Sequence, residues 1–326
     1  MQTIAVLGAN GRLSNPVARA FHAAGYRVVA VTRSGKAKGL PAEIEQRAAD
    51  AMDRQALISA TSGADILFNG LNPAYTDWGK YVLPMGENVM AAARSHGAFH
   101  LFPGNVYNFG RDIGENTHVG HPQRAETRKG RIRIALEQHF EREAGLGNVR
   151  TAILRAGDFF GGSIRGTWFD LAIAEKIGRG IFTYPGPMDL PHGWAYLPDL
   201  AGTFVRLADH CDALQPFQTF HFTGHTLTGS QLKTLCEHAA GRPLKRAGMP
   251  WPLLRAAGVF SPMLREVCEM SYLWRTPHSL DGSKLKALIA RVPHTEAGVA
   301  VAAALSELGV DTADRRDGAL AALSTT

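Results

Sequence analysis

The chain has 326 residues, 35 of them basic and 29 acidic, for a net charge of +6. That length can bury one large core with a smaller attachment, and the mild, dispersed charge lacks the concentrated basic stripe that nucleic-acid binding requires. No apolar run approaches the ~18 residues of a membrane span. Three scattered cysteines, Cys211, Cys236 and Cys268, form no CxxC pair and read as reduced thiols of a cytosolic protein. The opening MQTIAVLG has no basic region followed by a cleavable apolar core, so export is not expected.

Short apolar runs alternate with helical patterns. TIAVLG (3–8) predicts a buried strand. In the helix that follows, Val17, Ala20, Phe21 and Ala24 share one face, Pro16 is tolerated near the start and Gly25 supplies a stop. YRVVAVTR (26–33) is a second strand, IEQRAAD (44–50) a short third and ADILFNGL (64–71) a fourth. A helix around 79–96 ends at Gly97, and AFHLFPG (98–104) is the fifth strand.

TRKGRIRIALEQ (127–138) opens with Arg128, Lys129, Arg131 and Arg133, after which Ile132, Ala135, Leu136, His139 and Phe140 predict a helical apolar face. NVRTAILRAG (148–157) is the sixth strand. The Gly-, Pro- and aromatic-rich stretch 161–193 reads as loops, and QTFHFTG (218–224) as one more strand. Later helices are capped by Thr228, with Gln231 three residues on, and by Thr295. The last dozen residues are expected to be disordered.

Strands separated by helices define an α/β fold, a doubly wound parallel sheet of Rossmann type with a smaller, mainly helical C-terminal substrate lobe. The expected division puts residues 1–160 and 191–224 in the sheet domain, and 161–190 and 225–326 in the lobe.

VLGANGRLS places Gly8 and Gly11 directly after a strand and before a helix, with Asn10, Arg12 and Leu13 completing the turn. Glycines permit the tight turn, and the free N–H groups of the helix start suit a pyrophosphate. The spacing is GxxGxxS, with small Ser14 in the third place. At the end of the second strand stands Arg33, where an acid would select NAD. Arginine there, with Arg12 as a second cation, points to NADP, with NAD as the other possibility.

GANGRLS, AADAMD, NGLNP, VYNFG, RAGDFFG and WAYLPDLA occur in an order and spacing that resembles the extended short-chain dehydrogenase/reductase superfamily, the NAD-dependent epimerase/dehydratase type. The resemblance covers roughly residues 1–225. It implies that Asp50 approaches the adenine, that Leu71, Asn72 and Pro73 line the ribose and pyrophosphate, and that Gly157 and Asp158 lie beside the nicotinamide. It also implies that WAYLPDLA returns the chain to the sheet.

The pattern breaks where that superfamily carries its chemistry. Its Ser position falls on Pro103, or near it on Asn105, its Tyr position on Lys129 and its Lys position on Arg133. Residues four apart share a helix face. Arg133 can hold a ribose hydroxyl or phosphate but is no base. Lys129, beside that fixed cation in a desolvated cleft, is a candidate for the tyrosine's proton-transfer role; the other readings are that both cations only bind cofactor, or form a solvated face. On either of the first two readings Lys129 and Arg133 turn inward and Arg128 and Arg131 outward.

Tyr107, after the fifth strand, is a second candidate acid or else a packed aromatic. Asn105, Asp158, Tyr184 and Trp194 are candidates for holding substrate. His118 and His121 have HxxH spacing but no acidic partner motif, so no metal site is expected. No GxSxG elbow and no GxxxxGK[ST] loop is present. The leading expectation is an NADP-preferring oxidoreductase or epimerase acting on a small carbonyl or alcohol substrate, with a homodimer as the candidate assembly and without nucleic-acid or membrane partners. The rival is a catalytically inactive dinucleotide sensor or regulator of NmrA type, favoured by loss of both the Tyr and the Ser.

Overall fold

The computed structural model describes residues 1–310, so the expectation for the last dozen residues lies outside the described part. The chain begins β1 (Thr3–Leu7), α1 (Ser14–Ala23), β2 (Arg27–Thr32), β3 (Glu45–Ala48), α2 (Arg54–Ala60), β4 (Ile66–Asn69), α3 (Trp78–His96), β5 (Phe99–Gly104), α4 (Arg128–Gly145) and β6 (Thr151–Arg155). It continues β7 (Asp158–Phe160), β8 (Ile181–Tyr184), β9 (Pro191–Tyr196), α5 (Leu197–Ala208), β10 (Phe217–His221), β11 (His225–Thr228), α6 (Gly229–Ala240) and β12 (Lys245–Gly248). The helices α7 (Trp251–Ala257), α8 (Pro262–Glu269), α9 (Ser283–Ile289) and α10 (Ala297–Glu307) complete it.

Seven strands form one parallel sheet in the order β10-β6-β5-β4-β1-β2-β3. The order reverses between β1 and β4, and ligands of such sheets bind at the carboxyl edge of that switch point. The central strands β1, β4 and β6 are buried along almost their whole length, which explains their unbroken apolar runs. Helices cover both faces. α1 and α5 pack with Ile4, Phe68, Leu154 and Phe204 on one side, while α2, α3 and α4 pack with Leu7, Leu67, Phe102 and Ile153 on the other.

Three details depart from the sequence reading. The stretch 161–193 contains β8, a π-helical turn at Phe169–Ile173 and the start of β9. β8 pairs with β12 and β9 with β7 and β11, partners too distant in the chain for local composition to reveal. α10 is capped by Glu296, whose carboxylate accepts the Val299 N–H, while Thr295 is directed to Asp199. The Thr228–Gln231 capping box of α6 forms as expected.

The buried face of α4 consists of Lys129, Gly130, Arg133, Leu136, Glu137, Phe140 and Ala144. It is turned from the predicted apolar face because ion-paired polar groups take part in it. Arg128 and Arg131 are exposed. No helix among the described residues is long and apolar enough to cross a membrane.

Candidate functional site

The glycine loop leaves β1 with Gly8 at φ +69°, where a Cβ would also crowd the Gly70 carbonyl at 3.3 Å. Gly11 N–H donates to Gly8 O and Asn15 N–H to Gly11 O, which closes the turn. The N–H groups of Arg12 and Leu13, at the mouth of α1, have no protein acceptor among the described residues. This is the anion-receiving geometry of a helix start.

Beside it lies the segment 33–38, rich in cations. Asn10 fixes it by donating to Lys36 O at 2.8 Å and accepting from Lys38 N at 2.9 Å. Asn10 thus acts on this segment from the glycine loop. Arg33 is 81% exposed, with its Nε 3.8 Å from Asp50, whose carboxylate also accepts the Met52 N–H. Arg33, Lys36 and Lys38 therefore stand together at the end of β2.

Arg12 does not join them, which corrects its expected place as a second cation. Its guanidinium is ion-paired with the fully buried Asp170 and donates to the carbonyls of Gly161 and Ile164. Asp170 also accepts the N–H groups of Gly166 and Thr167, each at 3.0 Å. Arg12 therefore ties the segment 161–170 to the glycine loop.

The carboxyl edge of β4 and β5 meets α4 in a narrow crevice lined by Asn69, Leu71, Pro73, Phe102 and Arg133. Arg133 is 8% exposed and makes no hydrogen bond or ion pair among the described residues. Its guanidinium sits 4.7 Å from the Trp78 ring centroid and 5.1 Å from that of Phe102. Burial lowers its pKa, and the nearby Glu137 opposes that shift. Glu137 is committed elsewhere: it pairs with Arg155, at 2.6 Å for the closer contact, and Arg155 also donates to the Asn105 carbonyl. Asn72, next to Leu71 and Pro73, belongs to the loop after β4 and carries no side-chain bond to the described residues.

Lys129 is 1% exposed. Its ammonium is ion-paired with Glu266 and with Glu269 (2.7 Å), both on α8, donates to the Glu266 carbonyl at 3.1 Å and lies over the Tyr75 ring. Three protein acceptors use its three donors. This corrects the picture of a lysine facing only a neighbouring cation: no N–H remains for a substrate oxygen.

The Tyr107 hydroxyl lies 2.8 Å from that of Tyr75, and burial raises both their pKa values. Tyr107 is positioned by the Asn105 side chain, which accepts its N–H at 3.0 Å. Pro103 follows Phe102 on β5. Asp158 on β7 accepts from His192 Nε2 at 2.8 Å, and its negative charge contributes to the upward shifts of Tyr75, Tyr107, Tyr184 and Tyr272. His192 stacks on Trp274 with ring centroids 4.4 Å apart and meets the edge of His278 at the same separation.

Gly157 lets β7 begin against the backbone of β9, because a Cβ there would collide with the Gly193 carbonyl. Tyr184 and Trp194 are buried in the aromatic core behind the site, Tyr184 at 2% and Trp194 at 1% exposure. They form its wall. Tyr75, His192 and Trp274 were not visible as site residues in the sequence; only the position of Tyr75, just past the NGLNP motif, hinted at one of them.

The sequence profile of the NmrA-like family matches residues 1–133. No curated protein matches the chain. Among solved structures, the chain is similar to UDP-glucose 4-epimerase from Brucella ovis in complex with NAD, with TM-score 0.77 and 15% identity over 96% of this chain and 100% of that one. It is also similar to UDP-glucose 4-epimerase with UDP-glucose from Thermotoga maritima, with TM-score 0.76 and 14% identity over 94% and 99% of the two chains. UDP-glucuronic acid 4-epimerase from Bacillus cereus, in complex with UDP-glucuronic acid and NAD, gives TM-score 0.74 and 13% identity over the same shares. The chain shares the fold of these epimerases, and its residues 1–133 match the NmrA-like family.

Proposed function

We propose that the protein is an NADP-preferring oxidoreductase or epimerase that moves hydride to or from a small carbonyl or alcohol substrate. The observation that carries this reading is Arg133. A buried guanidinium without a hydrogen-bond partner is costly, and here, with none among the described residues, it borders the crevice between β4, β5 and α4, one helical turn after Lys129. Its donors match ribose hydroxyls or a phosphate.

The remaining residues fit the same ligand. The N–H groups of Arg12 and Leu13 would receive the pyrophosphate. Arg33 and Lys36, held against the glycine loop through Asn10, would receive a 2′-phosphate, and Asp50 would stand near the adenine. Leu71, Asn72, Pro73, Pro103 and Gly157 would border the dinucleotide. The similar solved epimerases hold NAD, so the preference for NADP rests on this chain's own cations.

A dinucleotide bound here supplies or accepts hydride at the substrate carbon. The protein must then manage the proton on the substrate oxygen. Tyr107 is the group we assign to it: its hydroxyl is kept protonated by burial, is held by Tyr75, and lies within the influence of Asp158. In the reductive direction Tyr107 would give its proton to the carbonyl oxygen, and solvent would restore that proton through Tyr75. Asp158, oriented by His192, holds the substrate through an accepting carboxylate. Asn105 sets the turn that presents Tyr107. Lys129 serves as a clamp between α4 and α8.

A second reading is favoured by the NmrA-like match and by the closure of α8 over Lys129: a dinucleotide sensor that turns nothing over. Titration of the stripped protein with NADPH and NADH, followed by a screen of carbonyl compounds, separates the two. Binding with turnover supports the enzyme, binding without turnover the sensor, and no binding of either cofactor overturns both.

A further inference from the structure

Asp199, His225 and His294 come from three separate elements: the first turn of α5, the start of β11, and the loop before α10. Their ligand atoms all lie within 4.8 Å of one another. We infer that these three side chains form a binding site for a divalent transition-metal ion of the zinc class, independent of the dinucleotide crevice.

The site is built. Thr295 donates its N–H and its hydroxyl to the two oxygens of Asp199, at 2.7 and 2.8 Å, and so brings the adjacent His294 to the carboxylate. Each Asp199 oxygen keeps a lone pair for a cation. Pairing of β11 with β9 sets His225 opposite Trp194, and its ring meets that of His294 with centroids 4.8 Å apart. His225 is 6% exposed, and its Nε2 is buried without any partner among the described residues.

A buried polar atom without a partner normally costs stability, and two imidazoles with a carboxylate are the ligand set that suits zinc. His294 lies on the exposed side, giving the ion a path in and a water a fourth coordination position. The ion would join α5, β11 and the lead into α10, three elements that converge where the C-terminal helices meet the sheet.

The test uses tag-free, chelator-treated full-length protein titrated with Zn2+ and, for its visible bands, Co2+. One equivalent should bind, with Co2+ bands of a four- or five-coordinate ion and a higher Tm with Zn2+. His294→Gln changes an exposed residue and should fold normally while weakening binding at least about tenfold. His225→Gln should do the same, and the exposed His238→Gln should change nothing. Failure to bind one equivalent, or unchanged binding in His294→Gln, overturns the site. NADPH binding, measured in parallel, reads the dinucleotide crevice separately.

Discussion

The hydroxyls of Tyr75 and Tyr107 stand 2.8 Å apart in a buried pocket over which Asp158 casts its charge. A hydroxyl in that position is held protonated through the neutral range and above it. Tyr107→Phe should therefore lower kcat about a hundredfold or more, the usual contribution of a positioned acid, with NADPH affinity within about twofold of wild type. Tyr75→Phe removes the supporting bond and the hydroxyl that relays the proton from solvent, and should cost about tenfold or more. Stopped-flow measurement of nicotinamide oxidation gives both values. Equal activity in Tyr107→Phe sinks the assignment.

Arg133 separates binding from stability. Removing one partner of a paired buried charge destabilises a protein, whereas Arg133 makes no hydrogen bond or ion pair among the described residues. Arg133→Met should thus keep or raise the Tm of the cofactor-free protein while weakening NADPH about 10- to 100-fold, the worth of charged hydrogen bonds of about 1.5–3 kcal/mol. A large fall in Tm with intact NADPH binding would show that the guanidinium serves the fold.

Arg33 and Lys36 make a prediction about discrimination. Arg33→Ala should weaken NADPH by about tenfold and leave NADH unchanged, and the NADPH affinity of wild type should fall with added salt more steeply than that of the variant. Arg33 is exposed and pairs with Asp50, so Arg33→Ala should fold as the wild type does. Equal losses for the two cofactors would remove Arg33 from the 2′-phosphate.

Lys129 tests the clamp. Lys129→Met strands Glu266 and Glu269, whose side chains are 17% and 25% exposed. It should destabilise by about 3 kcal/mol, the scale for breaking a largely buried pair. Adding Glu266→Gln and Glu269→Gln should recover most of that loss by leaving no unpaired charge. Urea unfolding of the single and triple variants decides it. A triple variant less stable than Lys129→Met contradicts a purely electrostatic clamp.

What the sequence could disclose follows from the range of the interactions involved. β1, the glycine loop, α1 and β2 lie within 32 residues, and each is set by local periodicity and turn chemistry. The inward turn of Lys129 and Arg133 followed from the resemblance, which put them at the Tyr and Lys positions, four apart on one helix face. The face of α4 was misphased because its burial is partly polar: Glu137 goes in with Arg155, and Lys129 with two glutamates of α8. Arg12 was assigned by proximity to the glycine loop, but its partner Asp170 is 158 positions away. His192 meets Asp158, and His225 meets His294, only after β9 and β11 have paired. No periodicity or spacing rule reports contacts of that kind.

Three buried histidines predict how stability depends on pH. His100 bonds to the Thr151 hydroxyl, His221 to the Thr117 carbonyl and His278 to the Thr276 carbonyl. Burial lowers their pKa values to about 3, 4 and 3, against about 6.5 in an unfolded chain. Below about pH 6.5 the unfolded state therefore binds protons that the folded state refuses. The stability that neutral imidazoles confer is complete above that pH and drains away as pH falls toward the folded values. Each ring contributes a slope of about 1.4 kcal/mol per pH unit once its unfolded form is fully charged. Urea midpoints measured at several pH values should hold level from about pH 8 to 7 and then fall steeply toward about pH 5, before carboxylates begin to titrate. His100 is wholly buried in the packing of Phe102 and Phe140, so His100→Gln, which cannot take a proton in either state, should make that descent shallower by about one ring's share. An unchanged slope in His100→Gln would mean that the imidazole is charged as readily in the folded protein as in the unfolded one, against its enclosure by two phenyl rings and the sheet.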